Sequence, residues 1–275
     1  MAEPAISAAS VFPRKAPTLV RPVWPAELMD DAPLPLSGDG GGGRRASANT
    51  AAMKSLRPGE TVVDIGCGNG CDVLAAARIV GSAGRVIGID NSPEKIEQAR
   101  RDACAAGAGN VTFYLCRIDS VPVPAGSVDC IMSHGAINGA GNKPAIFREM
   151  HRVLRPGGRV MISDVALKDL LPAEVAEALM DCVDGLAGAV EISTYRSLLQ
   201  AAGFEQILIA ETGESLSFNS SRAACGTAAA MLASYGIGLA TRDSLFPQMA
   251  SDDGLEHYAA VVRVHAVRAA DVVRA

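Results

Sequence analysis

The run Val62-Val63-Asp64-Ile65-Gly66-Cys67-Gly68-Asn69-Gly70 constrains this chain more than any other stretch. A short apolar strand enters a turn with glycine at every second position, and a helical pattern begins at Cys71. Glycines in such a turn let the backbone approach a ligand closely, and the first N–H groups of the helix await an acceptor. Three details narrow the ligand. The spacing is GxGxG, whereas the dinucleotide fingerprint GxGxxG requires glycine at position 71, where Cys71 stands. Asp64 lies two residues before the first glycine. A carboxylate beside a pyrophosphate is repelled, but beside the ammonium of a methionine moiety it is attracted. Asp90 closes the second strand, where its carboxylate can accept hydrogen bonds from two ribose hydroxyls. Nicotinamide enzymes share that last device, so it speaks for a nucleoside in general.

Around this turn the pattern alternates. Strands are expected at Thr61–Gly66, Arg85–Asp90, Val111–Cys116, Val128–Ser133 and Arg159–Val165, with helices at Cys71–Val80, Ser92–Ala106 and Lys143–Leu154. Ser92 is placed to cap its helix, with Pro93 at the first helical position and Glu94 in the first turn. Single helices between strands require right-handed crossovers and a parallel sheet. Further on, helices are expected at Pro172–Val183, Thr194–Ala202 and about 220–240, and strands at Phe204–Ala210 and Tyr258–Val267. Residues 1 to about 45 are rich in proline and end in Ser37-Gly38-Asp39-Gly40-Gly41-Gly42-Gly43. They read as a flexible segment or as a lid hinged on the glycines, with Trp24 as its docking anchor.

Composition removes several function classes. The net charge of −5 argues against a nucleic-acid partner. No basic region followed by a compact apolar run marks a secretory signal. The uncharged stretch Ala223–Thr241 is dominated by Ala, Gly and Ser and reads as a buried or lid helix, not a membrane span. Seven cysteines, with no CxxC pair and no zinc-like spacing, read as reduced thiols, so no metal site is expected. The Cys67/Cys71 pair lacks further ligands nearby in sequence. The expectation is a soluble cytoplasmic protein with no membrane or nucleic-acid partner.

At the glycine turn the chain resembles class I S-adenosylmethionine (SAM)-dependent methyltransferases, and the resemblance continues downstream over about 50–212. Cys116-Arg117-Ile118-Asp119 with Val121-Pro122-Val123-Pro124 resembles that family's adenine-contacting loop. Ser127-Val128-Asp129-Cys130-Ile131 and Arg148-Glu149-Met150-His151-Arg152-Val153-Leu154-Arg155-Pro156-Gly157-Gly158 resemble its next strand and its following helix and turn. The resemblance implies a Rossmann-like α/β fold, a seven-stranded, mostly parallel sheet with the last strand antiparallel. Residues 46–275 then form the methyltransferase domain, with 213–256 inserted before the last strand. It implies SAM as cofactor, held by Asp64, Gly66, Cys67, Gly68, Asn69, Gly70, Asp90, Asn91, Ile118, Asp119 and Ser133. Within that set, Asp119 would meet the adenine amino group and Ile118 the ring.

A narrower resemblance points to the arsenite methyltransferase group. It rests on Ser133-His134-Gly135-Ala136-Ile137-Asn138, Ile162-Ser163-Asp164-Val165, Leu170-Leu171-Pro172-Ala173-Glu174 and Gly185-Leu186-Ala187-Gly188-Ala189. That group holds trivalent arsenic through thiolates, and Gly135 and Gly185 stand at its two main thiolate positions. Residues 1–66 contain no cysteine to match the group's N-terminal one, and Cys182 falls near but not on a ligand position. Arsenic is soft and glycine cannot replace a thiolate. The expected acceptor is therefore an organic small molecule, with an arsenite-type methyltransferase and a SAM-binding protein without methyl transfer as alternatives. A nicotinamide-dependent reductase would need a binding mode that Asp64 and Cys71 oppose.

Methyl transfer needs alignment of acceptor and methyl group, and a base only where the acceptor must lose a proton. His134, after strand four, is the catalytic candidate or a hydrogen-bonded structural histidine. Asn138 and Asp164 each either orient an acceptor or cap the local chain. His257 and Tyr258 border the pocket or merely open the last strand, and His151 reads as structural.

Overall fold

The computed structural model describes residues 50–169, 186–214 and 258–270. The expected N-terminal segment with Trp24, the helices at Pro172–Val183 and about 220–240, His257, and the insertion beyond 214 lie outside the described residues.

In chain order the elements are α1 (Thr50–Ser55), β1 (Thr61–Ile65), α2 (Cys71–Val80), β2 (Arg85–Asp90), α3 (Pro93–Ala105), β3 (Val111–Leu115) and β4 (Val128–His134). Then follow α4 (Lys143–Val153), β5 (Leu154–Leu167), α5 (Ile192–Ala201), β6 (Phe204–Glu211) and β7 (Ala259–Arg268). The seven strands form one sheet in the order β3-β2-β1-β4-β5-β7-β6. β1 through β5 pair in parallel, and β7 runs antiparallel to both β5 and β6. This is the fold class expected from the sequence.

Local chemistry explains the boundaries. Ser92 caps α3, its hydroxyl accepting the Lys95 N–H at 3.3 Å, and Pro93 follows where no N–H is needed. Asn142 caps α4 in the same way, accepting from the Ala145 N–H at 3.1 Å. α1 is not among the expected helices, α5 begins two residues before Thr194, and several strand ends shift. β5 is longer at both ends than Arg159–Val165, because Leu154 pairs with Val128 and Leu167 reaches Ala259 of β7. A register shift between Val128 and Cys130 absorbs the intervening Pro156-Gly157-Gly158 turn. β4 extends through His134, which pairs with Ser163.

Both faces of the sheet are covered, so its strands are apolar on alternate and on successive residues. Val63, Ile65, Ile131 and Ile162 pack toward Phe147 and Met150 of α4 and Tyr195 and Leu199 of α5. Val62, Val86, Met132 and Met161 pack toward Met53 of α1, Val73 and Ala76 of α2 and Ile96 and Ala99 of α3. Asp64 falls on this second face by alternation, in a position an apolar residue would otherwise fill.

The end of the sheet where β1 begins is pinned by a buried ion pair. Arg159 donates to both oxygens of Glu60 at 2.7 and 2.9 Å, and its second terminal nitrogen also donates to the Ser55 carbonyl. Glu60 additionally accepts the Arg57 N–H at 2.9 Å. The side chains of Arg159 and Glu60 are only 15% and 9% exposed. Removing one partner of such a pair strands the other charge away from water. Glu60→Ala is expected to lower stability by about 3 kcal/mol, read from chemical denaturation. Glu60→Gln should cost less.

Candidate active site

The strand order reverses between β1 and β4, and in open α/β sheets a crevice forms at such a point beyond the carboxyl ends of the strands. An open cavity of about 440 Å³ lies there. Its walls bring together Gly66 after β1, Asp90 and Asn91 after β2, Ile118 and Asp119 after β3, and His134 at the end of β4. Six of the sequence-predicted residues, from four separate chain segments, thus face one space.

The glycine turn is held from below. The N–H groups of Gly66 and Cys67 both donate to the Ile89 carbonyl at 2.9 Å. The Gly68 N–H donates to Asp90 Oδ2 at 3.0 Å, and the Ser92 N–H to Asp90 Oδ1 at 2.9 Å. Gly66 has φ +75°, and a side chain there would overlap Ala136 across the cavity floor. Gly68 has φ +54° with no atom within 4 Å of where a Cβ would stand, so its backbone borders open space. Gly70 caps α2, and Asn69 is exposed on the turn.

Asp64 sits behind this turn, 4% exposed. Among the described residues no hydrogen-bond donor reaches its carboxylate. Burial, then the charges of Asp72 and Asp90, push its carboxyl well above the usual range. An ionised carboxylate buried without a partner is expensive, so the proton-bound form is favoured there. Cys67 is buried and packs over Gly88, and burial followed by the neighbouring Asp64 and Asp90 pushes its thiol far up, which makes it unreactive. Cys71 is exposed, so the two thiols do not converge. Among the described residues, no group of three His, Cys, Asp or Glu side chains is placed to hold a metal.

Asp119 is gripped by Arg117, whose Nε and Nη2 donate to its two oxygens at 2.9 and 2.6 Å. That grip holds the Asp119 carboxyl below its usual range. Ser133 does not line the cavity. It is fully buried, and its hydroxyl donates to the Ile65 carbonyl at 2.9 Å, stitching β4 to β1. His134, the next residue, is exposed and faces the cavity.

Between β4 and β5, Asn138 and Asp164 are buried beneath the wall. Asp164 is 3% exposed and accepts the N–H groups of Val165 at 2.9 Å and Asn138 at 3.2 Å. Burial pushes its carboxyl up to about 6. The Asn138 amide donates to the Val165 carbonyl at 2.6 Å. Buried Lys143, a residue the sequence pattern does not single out, donates to the Asn138 carbonyl at 3.4 Å. Together they hold the loop at 135–142 against β5. His151 packs edge-on against Phe204, with ring centroids 5.5 Å apart, and is structural. Tyr258 is not among the residues lining the cavity, and its carbonyl accepts the Lys168 N–H at 2.7 Å.

Comparison with known proteins gives a consistent picture. Residues 56–203, more than half the chain, match the family described as a methyltransferase domain. Over 173 residues the chain is 42% identical to an arsenite methyltransferase of Halobacterium salinarum, covering 62% of this chain and 44% of that protein. It is 30% identical over 165 residues to the 27-O-demethylrifamycin SV methyltransferase of Amycolatopsis mediterranei, covering 58% of this chain and 60% of that one. The chain thus spans less than two thirds of either relative. Its fold is similar to the crystal structure of an arsenic(III) S-adenosylmethionine methyltransferase from Chlamydomonas reinhardtii. There the TM-score is 0.58 at 22% identity, covering 81% of this chain and 74% of the other.

The state of Asp64 is testable without any ligand. Its carboxyl binds a proton more tightly in the folded protein than in the unfolded chain, so its contribution favours folding at low pH. That contribution is lost as pH rises from the unfolded value, about 3.9, through the folded one. Asp64→Asn removes the dependence. The variant's stability relative to wild type should therefore rise between pH 5 and pH 8, measured by urea denaturation. An unchanged difference would mean that Asp64 is not buried unpaired.

Proposed function

We propose that this chain, which belongs to the methyltransferase domain family, binds SAM in the cavity at the β1–β4 crevice and methylates an organic small molecule. The observation that carries the cofactor assignment is Asp64, a buried carboxylate with no donor among the described residues. An ammonium group beside it restores its ionisation and removes the desolvation cost. The remaining residues fit the rest of the cofactor. Gly68 offers open backbone, and Asp90 retains lone pairs toward ribose hydroxyls beyond those used by Gly68 and Ser92. Asn91, Ile118 and Asp119 line the cavity and would border the base. Cys67, Asn69, Gly70 and Ser133 shape the turn and the strand ends behind it.

When bound, SAM supplies an electrophilic methyl group on a sulfonium. The chain aligns the acceptor with it. His134, exposed at the end of β4 and facing the cavity, is the group placed to take the proton that a hydroxyl acceptor loses as its oxygen gains the methyl.

The organic acceptor follows from chemistry at the loop after β4. Gly135 stands where the arsenite group is expected to place a thiolate, and its Cβ position has no atom within 4 Å. A space without sulfur suits a carbon-based acceptor better than a soft metalloid. The likeness to the Halobacterium salinarum protein favours a second reading, methylation of arsenite, with ligands drawn from cysteines such as Cys182 and Cys225 that lie outside the described residues.

Calorimetry with SAM and its demethylated product S-adenosylhomocysteine tests the cofactor site. Wild type should bind either at micromolar affinity, and Asp90→Ala should weaken binding tenfold or more, about 1.4 kcal/mol. Because Asp64 ionises on meeting the ammonium, binding should release protons to the buffer and should weaken as pH falls. Absence of binding removes the proposal. Labelled-methyl transfer to a panel of small molecules, with arsenite and thiol included, separates the acceptors. Stoichiometric trivalent-arsenic binding with arsenic methylation would establish the second reading. Tight SAM binding with no transfer to any acceptor would point to a SAM-binding protein of another chemistry.

A further inference from the structure

We infer that Glu149 and Arg152 of α4 are positioning residues for the loop that carries Ile118 and Asp119, and that they set selectivity for the base of the bound nucleoside. The inference rests on the nucleoside reading of the cavity given above.

The loop between β3 and β4 has buried backbone without a strand partner. Val121 and Val123 are 4% and 7% exposed, so their polar main-chain groups must find hydrogen bonds elsewhere. α4 supplies them. The Val121 N–H donates to Glu149 Oε1 at 2.7 Å. Arg152 Nη2 donates to the carbonyls of Val121 and Val123, each at 3.0 Å. Arg152 also donates to both oxygens of Glu149 at 2.7 Å, which fixes the two side chains against each other. A planar guanidinium can serve a carboxylate and two carbonyls at once, which an ammonium on a flexible stem does less well. The grip continues along the chain, where the Gly126 and Ser127 N–H groups donate to the carbonyls of Arg152 and Val153 at 2.9 Å.

Upstream, the same loop is tied at Cys116, whose N–H donates to the Asp90 carbonyl at 3.0 Å. Only Arg117, Ile118, Asp119 and Ser120 span the interval between this anchor and the α4 anchor. Three of those four line the cavity. Their position therefore depends on both anchors, and the α4 anchor consists of two side chains. The same helix reaches the cavity directly through Asn142 and Ile146 at its other end. The motif that reads in sequence as a helix before a strand thus sets the distance between two cavity walls.

A residue that only stabilises the fold would weaken every ligand alike. A residue that positions the base-facing loop changes the preference between bases. The probes are S-adenosylhomocysteine and its deaminated counterpart S-inosylhomocysteine, which replaces the 6-amino donor with a carbonyl. Affinities for both are measured by calorimetry on the full chain. Arg152→Ala and Glu149→Ala should each lower S-adenosylhomocysteine affinity about tenfold and shrink the preference for it over the inosyl compound. The double variant should lose little more than either single one, because the pair acts as a unit. Arg148→Ala, on the exposed side of α4, should leave both affinities unchanged. If the alanine variants do not fold, Glu149→Gln decides, since it keeps the volume and the acceptor for Val121 but loses the charged pairing. Its preference should shrink about threefold. Wild-type affinity and preference in Arg152→Ala, or in Glu149→Gln where that variant decides, overturns the inference and leaves the cofactor reading intact. No binding to wild type overturns both.

Discussion

Asp90 is the joint on which the functional end of the sheet turns. Its carboxylate ties the glycine turn after β1 through the Gly68 N–H and the entry to α3 through the Ser92 N–H. Its main-chain carbonyl ties the loop after β3 through the Cys116 N–H. Three loops that share no sequence proximity are thus fixed to one residue at the end of β2. Hydrogen bonds to an ionised carboxylate are worth more than neutral ones, on the order of 1.5–3 kcal/mol each. Because each carboxylate oxygen has a second lone pair, the joint keeps acceptor capacity facing the cavity. One side chain therefore builds the site and borders it.

The two ends of the sheet treat charge in opposite ways. Where β1 begins, acids are matched: Glu60 with Arg159, and Asp129 with Arg155 at 2.6 Å. Where β1 ends, burial and then the charges of Asp72 and Asp90 raise the cost of ionising Asp64, which has no donor among the described residues. Repulsion of this kind, added to burial, opposes folding when the carboxyl is ionised. The pinned end can support the strained one because the same strands run through both. Arg159 stands in the first half of β5 and Asp164 in the second.

How much of this was legible in the sequence depends on the range of the interaction. Asp64, the glycines and Asp90 were readable because strand, turn and helix are contiguous and the spacing itself carries the chemistry. The Ser92 cap was readable for the same reason. The lengths of β4 and β5 were not, because His134 and Leu167 become strand residues only through pairing with Ser163 and Ala259. Ser133 looked like a site residue by position, yet its hydroxyl is committed to the Ile65 carbonyl across the sheet. Lys143 and the grip of Arg152 on Val121 and Val123 were invisible. Each joins segments about 5 to 31 residues apart through backbone carbonyls, which leave no trace in residue type.

The loop after β4 shows why a sequence likeness on the acceptor side says less than it suggests. The likeness to the arsenite group leans on Asn138 and on the run from Ile162 to Val165. In the structure Asn138 and Asp164 face inward and exchange hydrogen bonds with each other's segment, with Lys143 closing the set. Residues spent in this way report how the loop is held, not what it meets. What it presents outward, beside His134 at the end of β4, is small: Gly135 and Ala136, then Gly139, Ala140 and Gly141. Changing one of these alters the shape and chemistry of the cavity without disturbing the buried hydrogen bonds beneath it. A scaffold of this kind can keep its loop geometry while the cavity it presents changes, because the two properties reside in different layers of the same loop.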